Sequence, residues 1–277
     1  MSTALGVLVG GFFFLYAIIE QGGLKVFWDL PAVMIVGGGT LAAILISYPL
    51  PRVMRVAGVL LQIFKSDVQK PAWVIKLMVE LSFKARQKSL RALEDEVKKV
   101  DNRFLRLGLE LVVDGQPANI VREVMETELD FVQVRHRSGE HMFRTASRFT
   151  PAFGLIGTLI GLVAMLKNIG SAAEGAAKAI GQGMAVGLIG TFYGATLANL
   201  ILIPIAEKLR SRSDDEIMVN RIILEGVLMI QGGVNPRIIE RKLNSFLPPE
   251  HRAMYYDQIL KESKQRAYAK AQAGSGE

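Results

Sequence analysis

With 277 residues and no cysteine, the chain has room for one or two domains but cannot form a disulfide, a thiolate metal site or a thiol nucleophile. Half of its residues are hydrophobic and its mean hydropathy is +0.29, more than an ordinary soluble domain shows. The net charge of +7 is not accompanied by an aromatic-rich basic cluster, so nucleic acid is not among the expected partners.

The hydrophobic excess collects in four charge-free stretches, at residues 1–19, 30–51, 149–166 and 179–206. Each reaches the roughly 18 residues that cross a hydrocarbon core at 1.5 Å per residue. The expected fold class is therefore all-α, a polytopic membrane protein with four transmembrane helices and a helical cytoplasmic domain. The first span covers 1–20, and no Lys or Arg precedes Lys25, so the stretch lacks the basic start of a cleaved signal peptide and is expected to be retained. A short periplasmic connection at 21–29 leads to the second span at 30–50. The cytoplasmic domain at 51–148 begins its helices near Pro71 and carries an apolar stripe at Ile75, Met78, Val79, Leu81 and Phe83 along an expected helix over 72–113. Asp114-Gly115-Gln116-Pro117 is a stop-and-turn signal. From Ala118 a second helix is expected to run unbroken through the third span at 149–167, about 73 Å in all at 1.5 Å per residue. A second periplasmic connection at 168–180 precedes the fourth span at 181–206. That span is expected to continue into cytoplasmic helices over 207–261, interrupted by Gly232-Gly233 and Asn235-Pro236. A frayed tail is expected at 262–277.

Charge placement sets the orientation. Of 33 Lys and Arg, 18 lie between Arg52 and Arg148 and 12 between Lys208 and Lys270, leaving Lys25, Lys167 and Lys178 for the two short connections. The positive-inside rule then puts both termini in the cytoplasm.

The spans contain no Asp, Glu, His, Lys or Arg. A transporter working alone usually needs such a group near the bilayer centre. If this chain moves an ion, another chain must supply the compensating carboxylate. What the spans offer is Thr40, Thr158, Thr191 and Thr196, with Pro151 and Pro204 near the cytoplasmic ends of the third and fourth. Thr40 and Thr196 are expected to bond the carbonyl one turn back, and Thr158 and Thr191 to face a polar path. Gly157 and Gly161, Gly183 and Gly187, and Gly190, Gly194 and Ala198 fall four apart, the spacing at which helix backbones approach closely. His136 and His141 are expected at the surface. No cluster of His, Cys or paired carboxylates occurs at a span end with metal or general-acid spacing, which argues against an enzyme, a metal or a cofactor.

Four segments are shared with a known family. They are Thr150-Pro151-Ala152-Phe153-Gly154-Leu155-Ile156-Gly157-Thr158 with its continuation to Leu166, Met184–Ala195 followed by Pro204-Ile205-Ala206-Glu207-Lys208-Leu209, Lys84-Ala85-Arg86-Gln87 with Leu93-Glu94, and Val112-Val113-Asp114-Gly115. In order and spacing the chain resembles the MotA/PomA flagellar stator family over roughly residues 4–250, closer to the PomA branch. The resemblance implies a homo-pentamer in the bacterial inner membrane around two copies of a single-span MotB/PomB-type partner. That partner would supply the ion-carrying Asp and the peptidoglycan anchor, and the cytoplasmic part would drive the rotor protein FliG. It further implies that Pro151, Thr158 and Thr191 border the ion pathway and that Pro151 and Pro204 form the coupling hinge. Arg86 and Glu94, eight apart near one face of an expected helix, would meet FliG. Gly157, Gly161, Gly190 and Gly194 would pack helices. The transported ion, H+ or Na+, stays open, since similar threonines serve both and Gly190 stands where sodium-type members often carry Thr. The competing readings are an ExbB/TolQ-like or gliding-motor subunit that energises envelope processes, and a stand-alone ion channel.

Overall fold

The computed structural model describes residues 2–63, 69–97, 100–169, 176–249 and 252. The expected tail at 262–277 lies outside them. The described residues are helical with connecting turns, and no strand occurs among them. The chain divides into two compact units: Met1–Ser66 with His136–Ser211, and Asp67–Arg135 with Arg212–Glu277.

The first unit holds α1 (Ser2–Glu20), α2 (Leu30–Ser47), α3 (Leu50–Ile63), the apolar half of α7 (Ala118–Ile169), and α8 (Ala176–Thr196) with the start of α9 (Ile203–Gln231). Asp29 starts α2 by accepting the Ala32 N–H at 2.8 Å, and Pro31 sits in the first turn, where its missing N–H costs nothing. Two π-helical segments interrupt the apolar helices, at Met34–Gly38 within α2 and at Leu197–Leu202 between α8 and α9. Among the described residues, three helices are long and apolar enough to cross a membrane: Leu30–Ser47, Ala118–Lys167 and Ile180–Gln231. α1 contributes a shorter apolar helix, Leu8–Glu20.

Burial here is inverted relative to a soluble domain. Phe12, Phe13, Leu159, Val163 and Leu188 are exposed, while Gly154, Gly161, Gly183, Gly187 and Gly194 are buried. Large apolar groups outside and small ones inside is the arrangement expected when lipid is the solvent, because hydrocarbon gives Leu and Phe no reason to hide. A small cluster of Ile44, Val56, Met142 and Ala146 ties α2 and α3 to α7.

The second unit has an ordinary core. Ile75, Met78 and Leu81 of α4 (Pro71–Lys88), with Leu105 and Leu109 of α6 (Arg103–Val113), are each at most 1% exposed. They pack with Met125 of α7, Ile222, Ile223 and Val227 of α9, and Ile239 and Leu243 of α10 (Pro236–Asn244). Pro71 opens α4 in its first turn, as its spacing predicts. Two glycines end helices in the left-handed conformation, Gly115 at φ 72° and Gly233 at φ 65°. In each case the next N–H reaches back five residues, Gln116 to the Leu111 carbonyl and Val234 to that of Met229, both at 3.1 Å. These are Schellman closures, which satisfy carbonyls a helix end would otherwise leave open.

The expected helix over 72–113 is not continuous. It breaks at Ser89 (φ 112°, ψ 163°), passes through a 3₁₀ turn at Leu90–Leu93 and a short α5 (Glu94–Val97), and resumes as α6, capped by Asn102 accepting the Leu105 N–H at 3.0 Å. The break lets Leu93, Val97 and Leu105 turn back onto α4, which a straight helix could not do. Phe83, expected in the apolar stripe, is 48% exposed. Ser89 occupies a conformation that is essentially glycine's. Ser89→Gly is therefore expected to raise the stability of this unit by about 1 kcal/mol, read as a higher melting temperature of the intact protein.

Candidate functional site

Gly161 of α7 faces Gly183 of α8, Thr158 faces Gly187, Gly154 faces Gly190, and Thr150 faces Gly194. As one number falls from 161 to 150 the other rises from 183 to 194, so the two helices run antiparallel in constant register. A Cβ added at Gly161 would lie inside the Gly183 carbonyl oxygen and 2.9 Å from the Gly187 nitrogen. One at Gly154 would lie 2.9 Å from the Gly190 carbonyl oxygen, and one at Gly194 2.9 Å from that of Thr150. All these neighbours are backbone and cannot step aside. Gly157 and Gly190 are looser, since a Cβ at either meets nothing nearer than 3.6 Å. Of the four glycines expected to pack helices, Gly161 and Gly194 sit at the closest approaches, while Gly157 and Gly190 have space for a methyl group. Gly154, not singled out from the sequence, joins the tight set, and its spacing of seven from Gly161 is the signal that could have revealed it. A third contact closes the bundle: a Cβ at Gly39 of α2 would run into the Phe153 ring.

This register brings Thr158 and Thr191 together. Their hydroxyl oxygens are 2.6 Å apart. Thr158 Oγ1 is also 3.1 Å from the Gly187 carbonyl oxygen and 3.2 Å from that of Gly154, and Thr191 Oγ1 is 3.2 Å from the Gly187 carbonyl oxygen. Two hydroxyl protons are shared among these acceptors, so lone pairs remain available at the exposed side, where Thr191 lies. Four oxygens converge with no formal charge. Such a set can replace part of the hydration of a hard cation or order a proton-carrying water, but it cannot neutralise a charge. Thr40 bonds the Val36 carbonyl one turn back at 2.6 Å, as expected, and its hydroxyl also reaches Thr150 Oγ1 at 3.4 Å.

Pro151 lies inside α7, with its Cα 3.2 Å from where a Gly194 Cβ would stand. Lacking an N–H, it leaves the Ser147 carbonyl without its helical donor. Pro204 likewise brings no N–H to its helix, at the point where the π segment Leu197–Leu202 gives way to α9. Seven residues before Pro151 and three after Pro204, Arg144 bridges the two helices. Its Nε donates to Glu140 and its terminal nitrogen to Glu207, each at 2.7 Å.

Comparison with known proteins supplies the family. The family model described as the MotA/TolQ/ExbB proton channel family matches residues 96–246. Motility protein A of Borreliella burgdorferi is 41% identical over 86% of this chain and 89% of its own length. Chemotaxis protein PomA of Vibrio alginolyticus is 37% identical over 93% and 99%. The chain belongs to the MotA/TolQ/ExbB family. The solved flagellar MotAB stator complex from Bacillus subtilis matches with a TM-score of 0.81 at 27% identity, covering 91% of this chain and 98% of that one. The C. jejuni MotAB structure, at 24% identity, shares the fold with the same TM-score. Relatives named Motility protein A and PomA stand at similar identities, so identity alone does not separate those branches.

Within this member of the family, Arg86 and Glu94 are both exposed but do not share one helix. Arg86 is in the last turn of α4 and Glu94 opens α5, beyond the break at Ser89. Lys84 and Glu96, 3.1 Å apart, pin the two arms of that bend. Any common presentation of Arg86 and Glu94 therefore depends on the bend and not on helical periodicity. His141, expected at the surface, is exposed, yet its Nδ1 lies 2.9 Å from the Tyr48 hydroxyl, and Thr145 Oγ1 completes that contact at 3.0 Å. His136 is partly buried.

The Arg144 bridge was not legible from the sequence. Its hydrogen bonds to Glu140 and then Glu207 raise the guanidinium pKa above the ordinary arginine value. A raised basic group contributes its stability below the ordinary value and loses it only as pH climbs through the folded one, so the guanidinium holds its charge throughout the neutral range. Arg144→Gln and Glu207→Gln are each expected to reduce activity. The double variant should lose no more than the worse single, because both remove one contact. The measurement is swimming speed in a stator-null strain, with membrane abundance as the control for folding.

Proposed function

We propose that this chain is a flagellar motor stator subunit. With a MotB/PomB-type partner, it conducts H+ or Na+ down its gradient and converts the flow into torque on FliG. The observation that carries this reading is the α7–α8 pair, packed through glycines and free of charge, with two threonine hydroxyls at 2.6 Å, in a family whose relatives include Motility protein A and PomA. The pair supplies oxygens without a carboxylate. That suits a pathway completed by an Asp on a second chain.

In this reading the chain lies in the inner membrane with four spans, at 1–20, 30–50, 149–167 and 181–206, and both termini inside. The periplasmic connections are 21–29 and 168–180, and five copies surround two partner chains. Pro151, Thr158 and Thr191 border the ion path. Pro151 and Pro204, each withholding an N–H from its helix, serve as the hinge that passes its state to α7 and α9. Both helices continue into the second unit, which presents Arg86 and Glu94 to the rotor. No cofactor or enzyme chemistry is needed, and no metal-ligand cluster occurs among the described residues.

The test is the swimming speed of a stator-null strain complemented with this chain and its native partner, across NaCl from nominally zero to roughly 100 mM, with and without a protonophore. Speed that rises with sodium and survives the protonophore assigns Na+. Speed that ignores sodium and collapses with the protonophore assigns H+. No motility from a correctly assembled complex would shift the reading to an ExbB/TolQ-like or gliding-motor role.

A further inference from the structure

In the first unit a cavity of about 740 Å³ lies apart from the hydroxyl pair. Its walls come from α1 at Phe14 and Ile18, from the connection at Leu24–Trp28, and from both π segments, at Gly37 and at Leu197 and Ile201. Its volume is that of a small-molecule site, and π segments inside α-helices often border functional sites. The walls are hydrocarbon almost throughout. The Tyr193 hydroxyl, which could have offered a polar group, is already used: it donates to the Phe27 carbonyl and accepts the Asp29 N–H. The one charged group of the lining is Lys25, whose ammonium has no partner among the described residues. Beside it stands Trp28, 69% exposed, a residue type that favours the bilayer interface. From Phe192 to Ile201 the lining runs about 13 Å along the helix axis at 1.5 Å per residue.

An apolar slot bordered by the exposed Lys25 ammonium is complementary to a ligand with a hydrocarbon tail and an anionic head. We propose that the cavity holds one acyl chain of an anionic phospholipid, with the phosphate against Lys25. The proposal rests on the reading that these helices cross a membrane. The lipid would fill the space that the two π segments open between α1, α2 and α8, and so act as part of the packing around the ion-conducting pair.

The test uses the intact complex with its partner, reconstituted in palmitoyl-oleoyl phosphatidylglycerol and phosphatidylethanolamine, extracted gently and weighed by native mass spectrometry. Wild type is expected to retain one phosphatidylglycerol per copy of this chain. Gly37→Phe fills the slot from a position where a Cβ meets nothing within 4 Å, and should lower retention by about tenfold. Lys25→Gln should keep the lipid but lose the preference for phosphatidylglycerol over phosphatidylethanolamine. If Gly37→Phe does not accumulate, Thr196→Leu adds bulk from the facing wall and reads the same quantity. Equal lipid retention in wild type and the filled variant overturns the proposal. So does efficient disulfide cross-linking between copies through Leu24→Cys in this cysteine-free chain, which would show a second copy covering the mouth. Motility scored in parallel separates the two readings: a motile strain without retained lipid defeats only the lipid site, and retained lipid in a non-motile strain defeats only the stator function.

Discussion

Alanine at Gly161 is expected to abolish motility and to lower the abundance of the protein in the membrane, while alanine at Gly157 or Gly190 leaves both close to wild type. The reason is what each methyl group meets. At Gly161 it runs into the Gly183 carbonyl oxygen and comes within 2.9 Å of the Gly187 nitrogen. Backbone on both sides leaves no rotamer to change, so α7 and α8 must separate. Overpacking of side chains costs about 1–3 kcal/mol, and a clash with backbone falls at or above the top of that range. Helix separation would also pull Thr158 away from Thr191, whose 2.6 Å contact depends on the same register. At Gly157 and Gly190 the nearest neighbours are 3.6 and 3.7 Å away, ordinary van der Waals contact. Equal damage from all three alanines, in swimming speed and in immunoblotted membrane fractions, would falsify the register described here.

The second large effect is expected at the hydroxyl pair. Thr158→Val keeps the shape of the side chain and the β-branch, so helix packing is preserved, but it removes an oxygen that lies within 3.2 Å of Thr191 and of two carbonyls. If the pair replaces part of an ion's hydration, ion flux should fall by about tenfold or more, since losing one hydrogen-bonding partner to a charged species is worth about 1.5–3 kcal/mol. Thr158→Ser restores the oxygen without the methyl group and should recover most of the speed. Thr191→Val should act alike, and the double valine variant should be little worse than either single, because the two hydroxyls form one oxygen set. Normal swimming of Thr158→Val at unchanged protein level would reduce the threonines to helix packing.

These predictions draw unequally on sequence and structure. The helix starts at Pro71 and Ala118, the closures at Gly115 and Gly233 and the long uninterrupted course of α7 were all legible, because caps, glycines and prolines act within a few residues of themselves. The candidate threonines were legible by type, as hydroxyls in helices without charge. The break at Ser89 was not. A serine carries no turn signal strong enough to stop a helix, and the conformation is imposed by burying Leu93, Val97 and Leu105 against α4. That separation of Arg86 from Glu94 changes how any rotor contact must be built.

From the sequence alone came the class of the molecule: helical, rich in apolar stretches, and without ionisable groups in those stretches. Those properties follow from composition and from spacing along one helix. Which glycines actually touch, that Thr158 meets Thr191, and that Arg144 bridges to Glu207 were decided only by tertiary structure. Periodicity tells which residues share a face of a helix. It carries no information on how far one antiparallel helix is slid along its neighbour, and a slide of one turn, 5.4 Å, would leave every single-helix pattern intact while moving each of these contacts out of reach.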